Sequence, residues 1–149
     1  MQWRSRGFSL VEILLIIAIV AMIAVIAVPR VIDAMAQREL DKTVLQLADD
    51  LRWTMQKAAN SPVSMTVKIV FINTPPFGYK VVQGIEETLV KPATSFPITV
   101  LFPKLQDEIS FDVYGRPADG NDVRVTIVNT RGQSRTVSVN HLTGQVQVQ

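Results

Sequence analysis

The 149-residue chain contains no cysteine, so it can form no disulfide, offers no thiolate nucleophile and cannot build a Cys-based zinc site. An oxidising export route is thereby neither supported nor excluded. Histidine is almost missing too. His141 stands alone, in Asn140-His141-Leu142-Thr143-Gly144, which reads as a surface turn. A triad around it would need an activated Ser and an Asp, and no nucleophile-elbow sequence is present. Asp119-Gly120-Asn121-Asp122 offers oxygen ligands, but without EF-hand spacing or a distal Glu it reads as a plain acidic turn. No metal, cofactor or enzymatic activity is expected. A charge imbalance is also lacking, because Arg4 and Arg6 supply the whole formal charge of +2, and beyond Gly7 there are 13 basic and 13 acidic residues. The body of the chain therefore carries no general attraction for an acidic partner.

Polar residues are scarce at the start. From Phe8 to Val28 the only strongly polar side chain is Glu12, and from Ile13 to Val28 there is none. A run of this length crosses a bilayer core as a helix, which takes roughly 20 residues. A removed secretory signal fits less well, because the apolar stretch is too long and Ala27-Val28-Pro29-Arg30 places proline at the cut. Basic Met1-Gln-Trp-Arg-Ser-Arg-Gly ahead of the run predicts a cytoplasmic N-terminus, with the remainder on the far side.

No Gly/Ser linker follows Pro29. Instead Leu40, Val44, Leu47, Ala48, Leu51, Met55 and Ala58 recur at spacings of three and four, predicting one buried helical stripe. Asp33, Arg38, Asp41, Lys42, Asp49, Asp50 and Arg52 are expected on the other faces. The helix should end near Asn60-Ser61-Pro62, making about 50 residues in all, with Pro29 as its weak point because it removes a donor and clashes with the preceding turn. From Val63 the period becomes that of strands: Val63 to Phe71, Tyr79 to Gln83, Ile98 to Phe102, Ile109 to Tyr114, Val123 to Val128, Thr136 to Val139 and Val146 to Val148. Glycine turns punctuate the later ones. Gly84 to Pro97 reads as a loop. The expected architecture is α+β, a long N-terminal helix whose amphipathic half packs on an antiparallel sheet head. Its parts are a basic leader 1–7, a membrane helix 8–29 and a soluble head 30–149, with helix over 30–60 and strands over 63–149.

Gly7-Phe8-Ser9-Leu10-Val11-Glu12, the apolar run and Pro29 together resemble the class III signal and N-terminal helix of type IV pilins and type II secretion pseudopilins. The resemblance covers about the first 30 residues. It implies that a prepilin peptidase cuts after Gly7 and methylates Phe8. It also implies that Glu12 pairs with the charged N-methylated terminus of an adjacent pilin or pseudopilin, that Pro29 bends or melts the helix in filaments, and that an inner-membrane assembly platform is a partner. Glycine at the cut fits the chemistry, since its bare backbone can come close to an active site at the membrane edge. A carboxylate within a membrane helix costs about 2.5 to 3.5 kcal/mol near the centre and usually signals a functional partner. Taken alone, Glu12 could equally sit in the headgroup zone or serve its own helix dipole.

A second resemblance spans about 40 residues. Ile109-Ser110-Phe111, Gly115, Val123 to Val128, and Val137-Ser138-Val139 leading to Thr143-Gly144-Gln145-Val146 are similar to the H-type pseudopilin and T/U-type fimbrial minor pilin group. This implies a minor pseudopilin of type II secretion, single-pass in the inner membrane with a periplasmic head. A minor pilin of a type IV pilus or a competence DNA-uptake filament is the alternative. Some minor pilins of this group bind DNA through basic C-terminal regions. Here the tail Gly144 to Gln149 is uncharged, and Arg116, Arg124, Arg131 and Arg135 either share one side of the sheet or are scattered. Because DNA affinity rests largely on phosphate contacts, nucleic acid is not an expected partner.

Overall fold

The computed structural model describes residues 9–62, 66–97, 99–101 and 107–149. The chain comprises two compact units, Met1–Met35 and Ala36–Gln149. Helix α1 runs Leu10–Ala59. Ser9 starts it, its carbonyl accepting from the N–H groups of Glu12 at 3.0 Å and Ile13 at 3.2 Å. Pro29 lies inside the helix. At the other end the Ser61 hydroxyl donates to the Lys57 carbonyl at 2.7 Å and the Asn60 amide to Gln56 at 2.9 Å, satisfying carbonyls the helix itself leaves open before Pro62 stops it.

In the first unit every described side chain of α1 is exposed, from Leu10 through Met35. In the second, one stripe turns inward: Ala36, Leu40, Thr43, Val44, Leu47, Ala48, Asp50, Leu51, Thr54 and Ala58 are buried. The expected apolar stripe is therefore found, with Met55 partly buried beside it. One expected surface residue is not on the surface. Asp50 is buried, because it lies three residues from Leu47 and four from Thr54, within the same stripe.

The strands form two antiparallel sheets. The first has the order β3-β2-β1-β5, with β1 Val67–Ile72, β2 Gly78–Gln83, β3 Thr88–Ser95 and β5 Glu108–Phe111. The second has the order β4-β6-β7-β8, with β4 Val100–Leu101, β6 Val123–Asn129, β7 Ser134–Val139 and β8 Val146–Val148. Strict alternation in β1 sends Val67, Ile69 and Phe71 inward, and β6 does the same with Val123, Val125 and Ile127. These side chains and the helix stripe share one core. Tyr79 is fully enclosed there, with ring centroids 6.3 Å from Phe71 and 5.7 Å from Phe96.

Three expectations change. The segment read as a loop, Gly84 to Pro97, contains the eight-residue strand β3. It escapes sequence reading because an edge strand with little burial carries no period-two signal. The strand expected over Ile109 to Tyr114 stops at Phe111, since the Asp112 carboxylate accepts from the N–H groups of Tyr114 at 2.9 Å and Arg116 at 2.8 Å and folds the chain into a turn. Of Ile98 to Phe102, the strand described is Val100–Leu101, with residues 98 and 102 outside the described set, as are 63–65 at the start of the first expected strand.

Gly115 and Gly120 share φ +72°, but a Cβ on Gly115 would lie 2.8 Å from the Met55 carbonyl oxygen, whereas at Gly120 it meets open space. Gly120→Ala should therefore destabilise the chain by about 1 kcal/mol through the left-handed backbone alone. Gly115→Ala should cost a further ~1–3 kcal/mol from the clash, measured by urea unfolding of the full chain in detergent micelles. Equal costs would show that the Met55 contact yields freely.

Candidate assembly surface

The helix N-terminus is the first candidate. Of its expected residues, Gly7 and Phe8 lie outside the described residues. Glu12 stands in the first turn of α1, where a carboxylate is favoured by the positive end of the helix dipole. It is exposed, and among the described residues no side chain pairs with it. Ser9 and Glu12 also have the Ser-x-x-Glu spacing of a helix-capping pair, a signal for the helix start that was readable in the sequence. Beyond Glu12, apolar side chains point outward all round the helix: Leu10 is 75% exposed and Val25 76%. Among the described residues this is the one helix long and apolar enough to cross a membrane. Pro29, also exposed, withholds the donor that the Val25 carbonyl would ordinarily receive.

In the second unit the structure brings together residues that are far apart in sequence. Gly115 and Gly144, each in a turn, meet over the helix residue Met55: a Cβ on Gly144 would be 2.9 Å from the Met55 methyl and 3.4 Å from the Gly115 carbonyl oxygen. A side chain at Gly115 would push its turn off the helix backbone, whereas one at Gly144 would displace only the Met55 methyl. On the first sheet's side, the buried carboxylate of Asp50 accepts from the Tyr79 hydroxyl at 2.7 Å and is ion-paired with Lys91. Burial first, and then the hydrogen bond to Asp50 and its charge, push the Tyr79 hydroxyl pKa far above its usual value, so it remains a neutral donor. The Lys91 ammonium also lies 5.9 Å from the centre of the Trp53 ring. Sequence reading missed this cluster, although the placement of Asp50 on the apolar stripe was a signal for it.

No protein-family model and no curated protein matches the chain. Among solved structures, the type IV minor pilin FimU of Pseudomonas aeruginosa is similar to it, with a TM-score of 0.59 at 15% identity over 76% of this chain and 90% of that one. The fold is that of a type IV pilin.

On this pilin fold the four arginines of the C-terminal region are scattered. Arg116 pairs with Asp112 at 3.1 Å and stacks 4.9 Å over the Tyr114 ring. Arg131 follows β6 in a turn where its N–H donates to Asn129 Oδ1 at 3.0 Å. Arg124 and Arg135 lie on opposite faces of the second sheet. Arg135 reaches the helix, 3.0 Å from Asp41, while Arg124 faces out beside a polar groove of about 470 Å³ that Asp122, Thr126, Thr136, Ser138 and Gln147 help to line. His141 is in its expected turn, and Asp122 Oδ1 accepts from its backbone N–H at 2.9 Å and lies 2.8 Å from its Nδ1. Asp119, for its part, closes its own turn with the N–H of Asn121 at 3.3 Å.

The backbone N–H of His141, and then its ring, hold the Asp122 carboxyl below the usual carboxylate range. A carboxyl depressed by folding favours the fold at neutral pH, and that contribution is lost as the pH falls through its folded midpoint. In His141→Ala the backbone bond stays and the ring bond goes. The Asp122 carboxyl should then titrate closer to the usual range, as followed by carboxyl ¹³C NMR. An unmoved midpoint would assign the depression to the backbone bond and the nearby Arg124 charge rather than to the ring.

Proposed function

We propose that the chain is a structural minor pseudopilin of a type II secretion pseudopilus, a subunit without enzymatic activity that assembles through its N-terminal helix. The observation that carries this reading is a pilin fold whose helix exposes apolar side chains on every side from Leu10 to Val28, interrupted by the single carboxylate of Glu12. A monomer in water cannot leave such a surface uncovered. A bilayer covers it before assembly, and the helices of neighbouring pilins or pseudopilins cover it afterwards. The subunit would be single-pass in the inner membrane, with its N-terminus cytoplasmic and its head periplasmic.

In this reading prepilin peptidase cuts after Gly7 and methylates Phe8, and an inner-membrane platform receives the product. Glu12 pairs with the methylated ammonium of an adjacent subunit. Burying either charge alone in an apolar bundle is costly, so pairing offsets both penalties and selects one axial register among many apolar ones. Pro29, with the backbone bond it removes, is where the helix gives way during packing. The polar head supplies lateral or cargo contacts.

The likeness to a type IV minor pilin favours a second reading, a minor pilin of a type IV pilus or of a competence filament, with the same helix chemistry. Deleting the gene separates the two. Loss of secreted enzyme from the culture supernatant, restored by complementation, is the expected result for a secretion pseudopilus. An unchanged supernatant overturns that reading and favours the pilus. The helix chemistry has its own test: Glu12→Leu should leave membrane insertion and processing at Gly7 intact while abolishing incorporation into filaments, as read by immunoblot of sheared fibres. Normal incorporation would rule out the pairing.

A further inference from the structure

Strand β3 is one of the two edge strands of the first sheet, β5 being the other, and it pairs with β2 alone. Its eight residues face the six of β2, and the pairing breaks twice, between Thr94 and Lys91 and again between Lys91 and Leu89. Pro92, which has no N–H to donate, falls in the first break, where a bulge tolerates it. No residue of β3 is buried, whereas β1 buries every second side chain. Such an edge has few apolar contacts to hold it, and it exchanges ladder hydrogen bonds on one side only.

Apart from its ladder with β2 and the partly buried Val90 packed on the core, what holds β3 is polar and concentrated in one residue. Lys91 reaches inward from the edge to the carboxylate of Asp50 on the helix, a side chain only 6% exposed, while the ammonium side chain stays 36% exposed beside Trp53. The two ends of the segment are fixed separately. Just before the strand, the Glu87 carboxylate lies 2.8 Å from the Lys68 ammonium and 3.5 Å from that of Lys80. Just after it, the N–H of buried Phe96 donates to the Phe77 carbonyl at 2.8 Å. A segment anchored at both ends and held in the middle by one ion pair and the single apolar contact of Val90 is built as a strap.

We propose that β3 is such a strap, locked by the Lys91–Asp50 ion pair and able to lift from β2 as a unit while the rest of the head stays folded. The physical cause lies in Asp50. With Lys91 in place, its charge is neutralised in the interior. With Lys91 gone, the carboxylate is left buried against the Tyr79 hydroxyl alone, and the least costly way to give it water is to lift the strand that covers it. Lifting uncovers the edge of β2, a strand that is otherwise paired on both sides. The lysine therefore both closes the head and keeps a sheet edge from pairing indiscriminately, as inward-pointing charges and proline do on exposed edges.

Hydrogen–deuterium exchange of the full chain in detergent micelles tests this. In the wild type, amides of residues 88–95 should exchange faster than those of residues 67–72. Lys91→Met should accelerate 88–95 by about tenfold or more, less than for a fully buried pair because Lys91 is partly exposed, while 67–72 and 123–129 keep their rates. Adding Asp50→Asn to Lys91→Met removes the stranded charge and should slow residues 88–95 again relative to the single variant. Exchange of 88–95 in step with 67–72 in every form would overturn the strap. So would acceleration of all peptides together in Lys91→Met, which would make the pair part of the global core, and so would a double variant as fast as the single one, which would reduce Lys91 to the packing of its stem.

Discussion

Leu40, Val44, Leu47 and Leu51 have no exposed surface at all, and both sheets of the head place their inner side chains against this one row. Burying a leucine or valine side chain contributes about 1.5–3 kcal/mol, and neither four-stranded sheet, with one apolar face, could remain folded on its own polar exterior. The helix stripe is the shared floor of the core. The inward alternation of β1 and β6 follows from it, and so does the seating of the Gly115 and Gly144 turns over Met55. A side chain at Gly115 would lift its turn from the helix.

The same helix meets a different requirement before Ala36. There none of the described side chains is buried, and from Ile13 to Val28 they are apolar on all faces, with Arg30 and Asp33 following, so the periodicity that defines a core-facing stripe is absent. An all-round apolar helix is stable in a bilayer or in a bundle of like helices, and within the run from Leu10 to Val28 Glu12 is the only charged group able to distinguish one axial position from another. In the proposed assembly, apolar area supplies attraction while a single charge supplies register. That separation of roles explains how a carboxylate that weakens insertion can still be useful.

The head uses polar groups with comparable economy. Asp50 is the one acidic residue among its buried side chains described here, and it joins three elements, accepting from Tyr79 on β2 and Lys91 on β3 while standing on α1. Elsewhere carboxylates organise turns: Asp112 ends β5, and Asp122 ties the β7–β8 turn through His141 to the start of β6. The arginines are spread over both faces of the second sheet and two turns, so they present no continuous basic stripe of the kind that would follow a phosphate backbone.

The sequence by itself determined the elements whose signal is periodic and strong. The all-apolar run up to Val28 and the three-four spacing from Leu40 to Ala58 gave the helix and its buried stripe, because helical geometry maps such spacing onto one face irrespective of partners. Alternation likewise placed β1, β2, β6, β7 and β8, and the motif around Gly7 to Glu12 pointed to a pilin. Tertiary structure alone decided the division of strands between two sheets, since pairing joins residues distant in the chain. It also decided the burial of Asp50, whose cost is tolerated only because Tyr79 and Lys91 arrive from 29 and 41 residues away. Strand β3 and the scattering of the arginines belong to the same class. An edge strand takes its shape from the neighbour it pairs with, and the face a charge occupies follows from the register of its strand, neither of which local composition encodes.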